Sequence, residues 1–318
     1  KFNAKHIQLQ NIIANISLKA LSKDSLNLGI KRLSLDEKAS GFSLKKMSLK
    51  LVANNKQTNI DNFTIELPET SLKLDTIHLE YDSLKAFDRF TEQVHFSFRT
   101  LPSQVTLKDI SPFVPILSHF KEPVTLDMEV KGTVDQLTCS HLEITADDRQ
   151  FRLRGDVSLQ DLSRPQDAYV YGTLSELSAN TRGVGFLVRN LSPNYNGVPP
   201  ILERLGNVSF QGEISGYFTD LVTYGQLQTS LGNVKTDLKL SSDKTKGLFA
   251  YSGAVKTEDF QLGKLLDNEE LGEITFNLDV HGRHIADHLP AVELKGLIAS
   301  IDYSRYRYEN ITLAAYRI

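Results

Sequence analysis

Three stretches of this chain repeat one frame: a run in which apolar and polar side chains alternate, closed by a glycine. Residues 123–132 end in Val130-Lys131-Gly132, residues 205–216 in Ile214-Ser215-Gly216, and residues 271–282 in Val280-His281-Gly282. A fainter copy, Val94, Phe96 and Phe98, lacks the glycine. Side chains alternate across a strand, so Val124, Leu126, Met128 and Val130 share one face while Thr125, Asp127, Glu129 and Lys131 share the other. The matching apolar positions 94, 124, 208 and 274 are unevenly spaced, which excludes a tight solenoid of constant repeat and favours long antiparallel strands joined by variable excursions.

The rest of the chain carries the same signal. Residues 1–80 hold short alternating runs, among them Phe42-Ser43-Leu44, Phe63-Thr64-Ile65-Glu66-Leu67 and Leu72-Lys73-Leu74, set between Asn, Asp, Lys and Pro turns: a β-meander. Residues 151–159 and 234–240 alternate cleanly, and the polar stretch 241–247 reads as a hairpin loop. Helical segments are brief: 84–93, 112–120, 181–190, 200–205 and 260–266. Ser111 before Pro112, and Asp259 before the last segment, have N-cap chemistry. Each helix is expected to plug an end or edge of the sheet. The chain divides on this reading into an N-terminal meander, 1–100, and helix-plus-strand repeats, 101–318.

An apolar content of 40% in 318 residues is enough to fold. The net charge of −3 offers no electrostatic footprint for nucleic acid or an anionic membrane surface. One cysteine, Cys139, excludes an intramolecular disulfide framework and leaves both cytoplasm and bacterial periplasm open. No run approaches the ~20 apolar residues that cross a bilayer, and no signal peptide opens the chain. Because it starts at Lys1 and still reads as a strand over 312–318, the expectation is a piece of a longer protein with any membrane anchor outside it.

So much half-apolar sheet needs a cover. A second sheet or barrel closure makes the apolar residues core; a sheet curled into a trough leaves them for an apolar guest. Pattern alone keeps both open.

The segment Phe260-Gln261-Leu262-Gly263-Lys264-Leu265-Leu266, then 271–276, Val280-His281-Gly282, 297–303 and 306–313, resembles the TamB family of the AsmA-like superfamily. Residues 107–115 and 225–232 are similar to the same family, the likeness being loose over the whole chain and strongest over 180–318. These are repeat signatures, not catalytic motifs. The resemblance implies a mainly β fold, an elongated antiparallel β-groove formed by a curled, taco-like sheet with a few short helices between repeats. It also implies a periplasmic, inner-membrane-anchored protein reaching toward the outer membrane of bacteria and handling phospholipid. A barrel partner of the TamA type in the outer membrane would be met through regions outside this piece.

With that prior the groove-lining candidates are Val124, Leu126, Met128, Val130, Val208, Phe210, Ile214, Ile274, Phe276, Leu278 and Val280. An acyl chain gains about 0.8 kcal/mol per CH₂ removed from water, and a wall of this kind lets it slide. The competing expectation is that the same residues fill a protein core. The expected role is non-enzymatic, with phospholipid acyl chains as partner and no cofactor. The alternative is a scaffold or chaperone of the translocation and assembly module, which handles unfolded barrel strands at exposed strand edges and so aids outer-membrane protein assembly and secretion.

Other chemistry reads weakly. His281, His284 and His288 with Asp279 and Asp287 have ligand types for a metal, yet no helical spacing brings them together, and solvated turn histidines are the plainer reading. Gly183-Val184-Gly185 lacks the third glycine of a phosphate loop, and polar backbone turns are the expected reading of it. Ser215-Gly216 is a strand terminus rather than a nucleophile elbow. Cys139, with His141 expected on the same strand face, reads as a buried inert thiol. Tyr303, Tyr306 and Tyr308 with Arg305 and Arg307 suit either an interfacial platform or a sheet edge, and Asp147-Asp148 a hairpin turn.

Overall fold

The computed structural model describes residues 7–22, 24–113, 117–118, 120–146, 150–164, 166–191, 197–243, 248–285 and 291–317. The chain is mainly β, an antiparallel sheet of eighteen strands with few short helices, as the alternation predicts. Two compact units divide it: residues 1–163 with 185–197, and residues 164–184 with 198–318.

In the first unit the strands are β1 (Leu9–Leu21), β2 (Ser25–Glu37), β3 (Phe42–Asn54), β4 (Gln57–Glu66), β5 (Ser71–Leu74) and β6 (Ile77–Glu80). A 3-10 turn, Leu84–Arg89, then runs into α1 (Phe90–Gln93), followed by β7 (His95–Val105), β8 (Val124–Thr133), β9 (Gln136–Ala146) and β10 (Phe151–Gln160). Each strand pairs with the next, except that the short β5 and β6 together bridge β4 to β7. The excursion at 81–94 buries Tyr81, Ala86 and Val94 against Leu79, with Val94 wholly enclosed. The Tyr81 hydroxyl meets Thr58 Oγ1 at 2.9 Å and donates to the Asn54 carbonyl at 2.8 Å, so the polar end of this buried aromatic is held by two bonds.

The second unit is a meander of β11 (Tyr169–Ala179), β12 (Val208–Tyr217), β13 (Asp220–Thr229), β14 (Gly232–Asp243), β15 (Leu248–Gln261), β16 (Leu271–Ile285), β17 (Ala291–Tyr303) and β18 (Tyr306–Arg317). Between β11 and β12 in sequence come α2 (Thr181–Leu191), whose residues from 185 on belong to the first unit, and α3 (Pro200–Arg204), the latter opening on proline, whose fixed φ suits a first turn. Between β15 and β16 comes α4 (Leu262–Leu266). Its Leu262 and Leu265, with Leu205, pack on buried Leu231, Phe260 and Ile274, closing one end of this sheet as a plug.

Three expectations need correction. Asp259 is not a helix cap: it sits at φ 49° in a bulge of β15, with its N–H donated to Thr275 Oγ1, and Gln261 holds the cap position without a side-chain bond. Ser111 ends a 3-10 turn, Leu107–Ile110, instead of starting a helix. Gly183-Val184-Gly185 lies in the first turns of α2, not in a polar turn; Asn180 caps that helix by accepting the Gly183 N–H at 2.9 Å. Residues 114–116, 119, 147–149 and 244–247 lie outside the described residues, and with them parts of the expected 112–120 helix and 241–247 loop and the Asp147-Asp148 turn.

Candidate functional site

Register decides which side chains share a face. In the second unit Leu177, Phe210, Leu227, Val234, Thr257, Phe276, Ile298 and Ile311 stand opposite one another, strand after strand, from β11 to β18. The next row is Leu174, Gly212, Gly225, Thr236, Val255, Leu278, Gly296 and Leu313, and the one beyond contains Ile214, Leu238, Val280 and Leu294. Residues directly opposite in an antiparallel pair project to the same side. One face therefore carries an unbroken strip of apolar and small residues running across the strands.

The first unit carries its own strip. Leu21, Leu26, Ala53, Thr58, Leu79, Phe96, Gly132, Leu137 and Leu159 form a row from β1 to β10, by way of β6. Phe98, Val130, Cys139 and Val157 form the adjoining row on β7 to β10, with Leu126 and Ile144 paired further along. Phase is preserved by bulges. Leu18 and Leu21, Ile30 and Leu33, Leu44 and Met47, and Ile60 and Phe63 are each three apart, and a register shift at each place keeps both members on the strip. A bulge also bends and twists its strand, so these sheets are not flat.

All eleven groove candidates fall on these strips: Val124, Leu126, Met128 and Val130 in the first unit, and Val208, Phe210, Ile214, Ile274, Phe276, Leu278 and Val280 in the second. Their surroundings differ. Val130, Ile274 and Leu278 are buried, and the other eight are half-buried; Ile274 belongs to the plug beneath α4, and Phe276 packs against that plug, as its row neighbours Val234 and Ile298 do. The opposite face carries the charged rows, with Val222, Tyr224 and Leu297 exposed among them. Asp127, Glu143 and Arg154 form one of its rows, Arg154 donating to both Glu143 oxygens at 3.1 Å, and Gln211, Gln226, Lys235, Lys256 and Asn277 form another. Lys131 beside Glu129 holds that carboxyl below its ordinary value, as Ser241 and Lys239 do for Asp220.

The closing glycines of the frame have two separate causes. Gly132 and Gly216 take φ of 122° and 130°, and a Cβ on either would run into the carbonyl of Gln136 or Asp220 across the hairpin. Gly282 has no such φ; its missing Cβ leaves space that the Tyr251 ring occupies.

The other candidates separate. Cys139 is buried between Val130 and Val157, and burial, helped by the Asp156 charge, pushes its thiol up to about 11. His141 does not share its face: φ of 53° in a β9 bulge leaves it exposed. His281 and Asp279 lie on the polar face, opposite Glu293 and Lys295. Asp287, His288 and the His284 side chain lie outside what is described, and among the described residues no group of three or more His, Cys, Asp or Glu side chains is placed to hold a metal ion. Tyr303 and Tyr306 face each other across an exposed hairpin, and Arg307 clamps Asp302 with two bonds of 2.7 and 3.1 Å. No helix among the described residues is long and apolar enough to cross a membrane.

No family model, no curated protein and no solved structure matches the chain.

Proposed function

We propose that this chain is a segment of a lipid-handling β-groove in the bacterial periplasm, part of a TamB-like protein anchored in the inner membrane, whose apolar strips carry phospholipid acyl chains between membranes. One observation carries the reading: in each unit an apolar row runs on from strand to strand, interrupted by glycine and threonine but by no charged residue. In-sheet backbone groups are spent on neighbouring strands, so the face offers an occupant apolar contact and few hydrogen bonds. A hydrocarbon chain needs nothing more, and contact without directionality lets it move along the row. No catalytic step is required; the strip lowers the cost of taking an acyl chain out of a bilayer through water.

The test is lipid extraction from the purified protein beside Val280→Arg, a half-buried strip position whose opposite neighbours are Gly253 and Leu294. Phospholipid that copurifies with the native protein and is lost from a folded variant is the expected result. A native protein free of lipid at every preparation overturns the reading.

A second reading, a scaffold that captures strands for outer-membrane protein assembly, is favoured by β1. This edge strand of the first unit pairs only with β2 among the described residues, and Ile12, Ile13, Ile16, Leu18 and Leu21 along it are all more than half exposed. A long, exposed apolar edge is a template for strand addition. A peptide of alternating apolar residues should then protect β1 amides from hydrogen exchange, and Ile16→Pro should abolish the effect; no protection excludes this reading.

A further inference from the structure

Two aromatic rings lie down on the strip of the second unit, and glycines let them. A Cβ at Gly212 would stand 2.9 Å from Cζ of Phe210, and one at Gly225 would stand 2.6 Å from the same atom. At Gly282 the three atoms that a Cβ would meet first are all in the Tyr251 side chain: Cζ, Cε1 and the hydroxyl oxygen. Tyr251 and Gly282 are direct cross-strand partners, so both point to the strip side. At Gly212 and Gly225 a Cβ would also strike a backbone carbonyl across the pair, so pairing geometry alone asks for glycine there. Gly282 is different, because what its Cβ would displace first is a movable ring. Yet the position is buried and the ring is held against it.

We infer that Gly282 is a specificity-determining position: by letting Tyr251 lie flat it sets the clearance of the apolar strip, so that the strip admits a hydrocarbon chain over Val280, Leu294 and Val292. The inference rests on the lipid-groove reading and refines it. A ring standing up from the sheet is a knob, suited to locking into a second protein layer. A ring lying on backbone is a smooth floor, which a chain of methylenes crosses without meeting a pocket. Phe210 on β12 repeats the device three strands from Tyr251 on β15, over Gly212 and Gly225. A side chain at position 282 must displace the Tyr251 ring from its place on the backbone.

The experiment uses vesicles of palmitoyl-oleoyl phosphatidylethanolamine doped with a phospholipid bearing a photoreactive palmitoyl chain, with labelled positions mapped by mass spectrometry. Native protein should label at Val280, Leu294 and Val292 as well as at Phe276 and Ile298. Gly282→Ala should cut labelling at the first three at least five-fold, leave Phe276 and Ile298 unchanged, and recover when Tyr251→Ala is added to it. Tyr251→Ala with Gly282 intact, a variant that loses no backbone freedom, should increase labelling at Val280 by a probe with a branched phytanoyl chain. Native protein labelled on the strip but with Gly282→Ala indistinguishable from it, or with no recovery on adding Tyr251→Ala, overturns the inference and spares the lipid reading. If Gly282→Ala does not fold, unchanged phytanoyl labelling in Tyr251→Ala overturns the inference. Native protein unlabelled anywhere on the strip overturns both.

Discussion

Glu37 shows how single residues hold the ends of the strands. Its carboxylate accepts the Ser40 hydroxyl at 2.5 Å, the Ser40 N–H at 2.6 Å, the Gln8 N–H at 3.0 Å and the Ala39 N–H at 3.2 Å, tying the β2–β3 turn to the start of β1. These bonds, the Ser40 hydroxyl first, lower its pKa from 4.5 to about 2. A folded-state pKa below the unfolded one means that the unfolded chain takes up the proton first. The stabilisation is therefore complete above about pH 4.5 and lost as pH falls toward 2. Urea midpoints measured from about pH 5 down to about pH 2.5 should fall, and Glu37→Gln should start lower and fall less; an equal slope in both proteins contradicts this. Sequence alternation could not single out Glu37, because its partners are turn amides whose direction depends on the hairpin. At the other extreme of polarity, Phe260 is buried among Leu231, Ile274, Leu262 and Leu265. Phe260→Ala should cost about 3–5 kcal/mol in urea unfolding, while a cost below about 1 kcal/mol would mean that the plug beneath α4 is not a packed core.

At the scale of elements, the strands were legible and their phase was not. The frame strands β8, β12 and β16 emerge where alternation puts them, since period two belongs to one strand and needs no partner. Helices at 84–93, 181–190, 200–205 and 260–266 were also placed within a few residues, from Pro, Gly and apolar spacing. What alternation reads as an interruption, Ile30-Lys31-Arg32-Leu33 or Leu44-Lys45-Lys46-Met47, is instead a bulge that keeps the strip in phase. Two polar residues between apolar ones were the available signal. The same logic explains Asn62, at φ 54° in β4: asparagine tolerates the left-handed region that a β-branched side chain resists. Asn62→Val should destabilise by about 1–2 kcal/mol and Asn62→Gly should be close to neutral in thermal unfolding. Equal stability of the two variants would mean that the bulge is not needed to keep Ile60 and Ile65 on one face.

For the whole molecule, the eleven groove candidates could be named from sequence because each sits on an alternating strand, but their continuity could not. Continuity is a property of register, which joins Phe210 to Leu227, Val234 and, at the far side of the sheet, Ile298. Nor could burial be read from pattern: Ile274 alternates like Phe276, yet α4 covers it. The central claim is that one row of the second unit acts as a single acyl-chain path. It is tested by placing a photoreactive benzoyl-phenylalanine singly at Leu177, Phe210, Leu227, Phe276, Ile298 and Ile311, and at the polar-face positions Glu213, Lys235 and Asn277, then irradiating the protein with phospholipid vesicles. Lipid adducts at every strip position and at none of the polar-face positions are predicted. Adducts spread equally over both faces, or absent from the strip, would contradict the account.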